Sequence, residues 1–496
     1  MLLSASLLAL SFHPLGLHFL AWFSLVPVLF VIDKAKPSRA FTTGLIFGAI
    51  FALLSLFWIV FLQIPINVKI LMIFGLLLLF LYLGLYFGVS FLITSHIGIW
   101  FLPLAVCGLE FVRGIGEIGF PWLSLGYSQA RYPVMIQQAS IYGIYGLSGW
   151  LVLLNVALYK ALKIKKWRNV ILTLLIFIMP VIYGTLRIKA AKGTSIVVGI
   201  IQPNIDPNLK FTRSMRKETF KQLMHFSGAC IELARDVYND SCDLIIWPES
   251  ATPIFLKLAN EYQLSVLEFV DSNKTAVLTG TPIYDSKIKQ IYNGAVLMEP
   301  GYKVTQEYRK LHLVPFGEHI PFDRYIPLFQ KIDLGEGDYS PGIDFTVFNI
   351  KNLKFSCLIC FESIFPELSR EFVKRDAQLL VNITNDGWFG KISGPQQHND
   401  MAILRAVENG VPLARSANTG ISMVVDKYGR ILESRGLFEE GIIVHRIFIE
   451  NGKTIYRVVG DIAPVISLMV VTILLLLRVI GLNLLWRTEQ SNGSLF

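Results

Sequence analysis

Charge is scarce in this chain. Only 16% of its 496 residues are Asp, Glu, Lys or Arg, against 53% hydrophobic, where a soluble globular protein carries about a quarter charged. The shortage is regional: apolar residues fill 1–186 and 463–485, and the middle has ordinary globular composition. Cysteine is also sparse. Cys107, Cys230, Cys242, Cys357 and Cys360 make an odd count, so intramolecular pairing leaves at least one thiol free, and no disulfide framework is required. A Cys230–Cys242 bridge stays open on sequence grounds. Cys357 and Cys360 have CxxC spacing, but their odd separation puts them on opposite faces of an extended strand, which argues against a redox pair. A basic start is missing too. Met1 to Phe12 carries no charge, unlike the n-region of a signal peptide. Repeats, low-complexity tracts and basic–aromatic modules are absent, so the net charge of +9 does not indicate nucleic acid. His312, His319 and His398 lack a ligand spacing, and no metal is expected.

The apolar regions read as membrane helices. A short or tilted helix covers Met1–Phe12, and a second runs about Leu17–Ile32. Further spans fall near 41–62, 70–94, 97–112, 141–160, 169–186 and 463–484. All but the first approach the ~20 residues a bilayer core requires. Basic loops at 33–39 and at 160–168, with Lys160, Lys163, Lys165, Lys166 and Arg168, belong on the cytoplasmic side. Alternation then sends 187–460 to the opposite side. Arg478 marks either an interface or the end of the last span. The expected domains are 1–186 with about seven transmembrane helices, 187–460 as an extracytoplasmic catalytic domain, and 461–496 as a final helix with a cytoplasmic tail.

The middle segment alternates strand and helix patterns. Strands are predicted at Ser195–Gln202, Leu244–Trp247, Ala276–Thr281, Phe355–Ile359 and Leu379–Ile383. Helices are predicted at 212–237, 257–271, from about Ile364, and at 396–409, with short strands over 412–448. The pattern predicts an α/β layered domain with mixed sheets.

Two predicted strands end in reactive groups. Leu-Ile-Ile-Trp-Pro stops at Glu249, and Phe-Ser-Cys-Leu-Ile stops at Cys360. A cysteine at a strand-to-helix turn meets helix N–H groups, which favour a thiolate and can hold an oxyanion. Lys310 lies between them in sequence. Each has a plain alternative: a core thiol, a solvated loop carboxylate, a surface lysine. A thiol, a carboxylate base and an ammonium together suffice for acyl transfer through a thioester.

Trp247-Pro-Glu249, Lys310-Leu-His-Leu-Val-Pro-Phe-Gly-Glu318 and Ile359-Cys-Phe-Glu362 resemble the Glu-Lys-Cys motifs of the nitrilase superfamily. The membrane flanks narrow the resemblance to its apolipoprotein N-acyltransferases. So do Gly119-Phe-Pro-Trp-Leu-Ser-Leu-Gly-Tyr-Ser128, Asn385-Asp-Gly-Trp-Phe-Gly390, Gln397-His398, Arg405-Ala-Val-Glu-Asn409 and Arg415-Ser-Ala-Asn-Thr-Gly420. The resemblance implies an αββα sandwich on a helical membrane bundle, in a bacterial inner membrane, with the catalytic domain in the periplasm. It implies transfer of a fatty acyl chain from a phospholipid, typically phosphatidylethanolamine, to the α-amine of an S-diacylglyceryl cysteine that begins an apolipoprotein. No cofactor is implied. Glu249 matches the base, Lys310 the oxyanion-stabilising cation and Cys360 the nucleophile. Glu318 matches a second carboxylate, and Phe361 and Glu362 match supporting positions beside the nucleophile. Trp388 and Phe389 suit acyl-chain contact or a lid, with core packing as the alternative. Phe211 departs from a tryptophan often found there, which alters any lipid contact it makes.

Two other readings compete. A membrane-tethered nitrilase-type amidase would use the same triad with water as acceptor. A multi-pass receptor or transporter subunit would need intramembrane charges lining a path, and only Glu110 and Arg113 stand near a helix end.

Overall fold

The computed structural model describes residues 1–481 except 63–65, 191, 207–212, 253, 257, 259–260, 323–338, 352 and 451. Phe211 lies outside the described residues. The N-terminal bundle comprises α1 (Leu2–Leu10), α2 (Val26–Ile32), α3 (Pro37–Leu56), α4 (Ile66–Ile97), α5 (Leu102–Arg113), α6 (Pro133–Ile136), α7 (Ala139–Ile164) and α8 (Trp167–Arg187). Among the described residues, five helical stretches are long and apolar enough to cross a membrane: Pro37–Phe61, Met72–Ile97, Ala139–Ile164, Trp167–Arg187 and Ile462–Val479. The other three expected spans are represented by the shorter helices α1, α2 and α5, of nine, seven and twelve residues. The final helix ends one residue past Arg478.

Two glycine pairs explain the tight packing of α3 on α4. A Cβ on Gly44 would lie 2.4 Å from the Phe87 carbonyl oxygen, and one on Gly84 would lie 2.5 Å from that of Leu45. Together with Gly48 and Gly88 they form small residues four apart on facing helices, which lets backbones approach where lipid offers no hydrophobic drive. The outer face of α8 instead exposes Ile171, Leu174, Leu175, Ile178 and Ile182, an apolar surface suited to acyl chains as solvent.

Among the described residues, 194–449 hold twelve strands in two six-stranded sheets. The first has the order β12-β1-β2-β3-β4-β5. Its strands are β1 (Thr194–Gln202), β2 (Leu244–Ile246), β3 (Ala276–Asp285), β4 (Gln290–Glu299), β5 (Lys303–Arg309) and β12 (Gly441–Ile449). The second has the order β11-β10-β9-β8-β7-β6, built from β6 (Val347–Ile350), β7 (Leu353–Ile359), β8 (Leu379–Thr384), β9 (Leu413–Ala417), β10 (Ser422–Val425) and β11 (Ile431–Arg435). Parallel pairs β1–β2–β3 and β7–β8–β9 form the sheet centres, and antiparallel strands flank them. Strands β4, β5 and β6 add to those predicted from sequence.

The period of two decides the layers. Val198, Ile200, Leu244, Ile246 and Leu278 join the core shared with Phe355, Cys357 and Val381 of the second sheet. Val197, Ile201 and Ile245 point the other way and pack under Phe220, Leu223 and Val266, which lie on α9 (Arg213–Tyr238) and α10 (Glu261–Asn273). Helices α11 (Pro366–Lys374) and α12 (Gly394–Asn409) pack on the second sheet and on each other. The domain is therefore an αββα sandwich. The chain closes with α13 (Ile455–Val459) and α14 (Ile462–Val479).

Sandwich and bundle share one apolar core. At their seam the Ile144 amide donates to Glu408 Oε1 at 2.9 Å, and the Tyr127 hydroxyl and Arg405 Nη1 each donate to the Ile364 carbonyl at 3.2 Å. At the other end of α7, Asp33 Oδ2 accepts from Tyr159 and Lys163, both at 2.5 Å. Ile144 and Lys163 are nineteen residues apart, about 28 Å along a helix. The two basic loops therefore meet each other about one bilayer core away from the sandwich.

Candidate active site

Strand ends assemble the site. Glu249 follows β2, Lys310 follows β5, Cys360 follows β7 and Asn385 follows β8. Parallel strands β2, β7 and β8 thus deliver their C-terminal ends to one place, the position where open α/β sheets carry ligands. Gly280 on β3 makes room for the first of these. A Cβ there would lie 2.7 Å from the Glu249 Cα and 2.6 Å from the Ser250 amide nitrogen.

Lys310 is the hub. Its side chain is 1% exposed, and its Nζ stands 2.7 Å from Glu318 Oε2, 2.9 Å from Glu318 Oε1 and 3.8 Å from Glu249 Oε1. Burial pulls the ammonium toward neutrality, but the carboxylates of Glu318 and Glu249 outweigh it and hold its pKa above the ordinary lysine range. The Asn293 side-chain amide on β4 bridges the two acids, donating to Glu249 Oε1 at 2.9 Å and Glu318 Oε1 at 2.7 Å. The Asn385 amide holds Glu249 Oε2 at 2.9 Å, and the Val314 amide holds Glu318 Oε2 at 2.9 Å.

Cys360 sits in the left-handed region, φ +52°, a conformation that costs an L-residue roughly 1–2 kcal/mol. It opens a five-residue 3₁₀ turn, Cys360–Ile364, and α11 follows only at Pro366. The helix N-terminus expected to favour a thiolate is therefore a single tight turn. Burial first, then the Glu249 charge, push the thiol pKa well above the ordinary cysteine range, with Lys310 opposing. The resting group is a neutral thiol within electrostatic reach of a carboxylate and an ammonium.

Glu362 ties the Cys360 turn to the lysine loop. Its Oε1 accepts from the Tyr308 hydroxyl at 2.7 Å and from the amides of Leu311 and His312 at 2.7 and 3.1 Å. Its Oε2 accepts from the Ile359 amide at 2.7 Å. Burial pushes its pKa up to about 7 against the pull of Lys310 and these donors. His312, its ring centroid 3.9 Å from that of Phe365, is lowered to about 4 by burial and by Lys310. It stays neutral.

Phe361 and Phe389 face the bundle. Phe361 stacks on Trp122 with ring centroids 6.5 Å apart, and Phe389 lies 5.0 Å from Trp58 and 6.2 Å from Trp122. The Trp388 side chain lies outside the described residues. Cys357 is buried in β7, and all five cysteines, Cys230 and Cys242 included, are free thiols. Among the described residues no three His, Cys, Asp or Glu side chains gather into a metal site.

Sequence reasoning missed Asn293, Tyr308 and the Asn385 backbone amide as partners of the acids. Asn293 carries a usable signal, a buried polar residue in the apolar run Tyr292–Met298. The Asn385 contact has none, because a backbone amide has no sequence identity.

Residues 197–455 match the family model described as carbon-nitrogen hydrolase. This assigns the sandwich and its strand-end site to the nitrilase superfamily. Residues 4–157 match the model of the apolipoprotein N-acyltransferase N-terminal domain. The chain is 36% identical to an apolipoprotein N-acyltransferase of Geobacter metallireducens, over 93% of this chain and 91% of that one. It is 29% identical to one of Chlorobaculum tepidum, over 97% and 96%. The chain belongs to the apolipoprotein N-acyltransferase family, whose members are acyltransferases.

Proposed function

We propose that this protein transfers a fatty acyl chain from a phospholipid, phosphatidylethanolamine in the first instance, to the α-amine of the S-diacylglyceryl cysteine that begins an apolipoprotein. Glu249, Lys310 and Cys360 are the catalytic triad of this reading. The observation that carries it is the buried Lys310 ammonium, 3.8 Å from Glu249 and 2.7 Å from Glu318, at the strand ends that also carry Cys360 and beside aromatics that the membrane bundle supplies.

Glu249 takes the Cys360 proton, a transfer that leaves the net charge of the site unchanged. The thiolate attacks the ester carbonyl carbon. Lys310 stabilises the resulting oxyanion. Collapse expels the lysophospholipid alkoxide, which takes the proton back from Glu249 and leaves a thioester. The lipoprotein amine then attacks, Glu249 accepts its proton, and collapse to the amide returns that proton to the departing thiolate. Glu318 keeps Lys310 charged and oriented. Glu362 and Phe361 hold the nucleophile turn. The aromatic seam of Trp58, Trp122, Phe361 and Phe389 favours a lipid tail over water, which protects the thioester from hydrolysis. The pairing of the two basic loops at the far end of α7 supports a cytoplasmic side there, and hence a periplasmic sandwich on the inner membrane.

The test is mass spectrometry. Wild-type protein incubated with phosphatidylethanolamine alone gains one acyl mass on Cys360, and a diacylglyceryl-cysteine peptide discharges it as an N-acyl peptide. Cys360→Ala folds and transfers nothing. Acyl mass on another residue, or turnover by Cys360→Ala, refutes the scheme. Discharge by water in preference to the peptide amine would make the protein a hydrolase, the outcome the nitrilase-type alternative expects.

A further inference from the structure

Two neighbouring side chains near the start of α12 have no part in that scheme. Gln397 has its full hydrogen-bonding capacity engaged, and every partner belongs to the membrane portion. Its Oε1 accepts from Trp58 Nε1 at 3.2 Å and Trp122 Nε1 at 2.9 Å. Its Nε2 donates to the carbonyls of His13 and Ser55, both at 3.0 Å. An amide offers two donors and two acceptor lone pairs, so nothing is left over. The packing is close enough that a Cβ on Gly394, at the start of the helix, would lie 2.8 Å from the Trp58 indole.

The next residue faces the nucleophile. His398 is 1% exposed, and its Nε2 lies 3.0 Å from the Cys360 carbonyl oxygen and 2.9 Å from Ser363 Oγ. A carbonyl oxygen only accepts, so Nε2 carries a proton. The opposite nitrogen, Nδ1, sits 3.0 Å from Asp386 Oδ1 and 3.1 Å from Arg415 Nη2, and Arg415 and Asp386 are themselves paired at 2.7 Å. The ring is thus clamped on one edge by a buried ion pair. Its other edge holds the peptide oxygen of Cys360, whose backbone is left-handed.

We propose that His398 is a positioning residue for Cys360, and that Gln397 anchors it to the membrane bundle. The helices that present the acyl donor thereby also set the aim of the nucleophile. The inference rests on the thioester reading above. Holding the Cys360 carbonyl fixes the peptide plane on which Cα–Cβ and Sγ are built, and a misplacement of about 1 Å can cost 10²-fold in rate.

Single-turnover acylation of Cys360 by phosphatidylethanolamine micelles tests this in the full-length protein. A glutamine amide nitrogen reaches the place of Nε2, and an asparagine only that of Nδ1. His398→Asn is expected to slow acylation by about 10–10²-fold, with the half-saturating phospholipid concentration unchanged. His398→Gln is expected to restore the rate to within about fivefold of wild type. Wild-type acylation in His398→Asn overturns the proposal. So does equal slowing in both variants, which would make the ring a packing element only. If His398→Asn does not accumulate, Gln397→Glu decides. It keeps the acceptor for both indoles and loses both donors, and an unaltered acylation rate there overturns the proposal. Absence of acyl mass on wild-type Cys360 would instead refute the thioester reading itself, so the two failures are distinguishable.

Discussion

At the scale of the residue, Glu362 connects burial to a measurable pH dependence. Its folded pKa of about 7 stands above the ordinary glutamate value of 4.5, with burial the main cause. Between those values the folded protein keeps a proton that the unfolded chain has released. Its stabilising contribution is therefore complete below about pH 4.5 and lost as pH rises through 7, a change of roughly 3 kcal/mol at 1.36 kcal/mol per unit. Unfolding of detergent-solubilised protein should show this slope, and Glu362→Gln should flatten it between pH 5 and 7. A slope equal to wild type would assign the effect to other groups. The sequence placed Glu249 and Cys360 at the ends of apolar strands, because an apolar run that stops at a polar group is visible in one dimension. It did not reveal that Cys360 rests as a thiol, since that depends on desolvation and on carboxylates distant in sequence.

At the scale of the element, the close contact of β3 with the end of β2 positions Glu249. Gly280→Ala would push a methyl carbon to 2.7 Å from the Glu249 Cα, closer than real contacts allow, and the backbone must shift. The expected outcome is a loss of about 10²-fold in acylation rate with far-ultraviolet circular dichroism unchanged. Full activity would show that Glu249 tolerates displacement. Most central strands were legible because both their faces are apolar. Strand β5, Lys-Val-Thr-Gln-Glu-Tyr-Arg, was not: it is an edge strand whose buried Tyr308 sits among polar neighbours. The four residues of β6 are too few to show a period. The expected α11 start near Ile364 moved to Pro366, because the 3₁₀ turn at Cys360–Ile364 takes up the strand exit.

At the scale of the molecule, α7 joins two environments. Its N-terminal part meets Glu408 of the sandwich, and its C-terminal part meets Asp33 of a basic loop. In cysteine-free protein carrying one introduced thiol, a membrane-impermeant maleimide applied to spheroplasts should label Lys287→Cys. It should reach Lys36→Cys only after permeabilisation, both sites being exposed. The reverse pattern would invert the proposed orientation.

The sequence by itself determined the layered domain between apolar flanks, the chemistry of the thiol, acid and ammonium, and the family those motifs resemble. Each of these depends on periodicity or residue type, which linear order preserves. The tertiary structure alone decided that Asn293 would bridge two acids, that Lys310 would be buried between them, and that Gln397 would find its four partners 275 or more residues away. Saturating a buried polar group requires particular donors and acceptors within about 3 Å, and only the packed chain brings them that close.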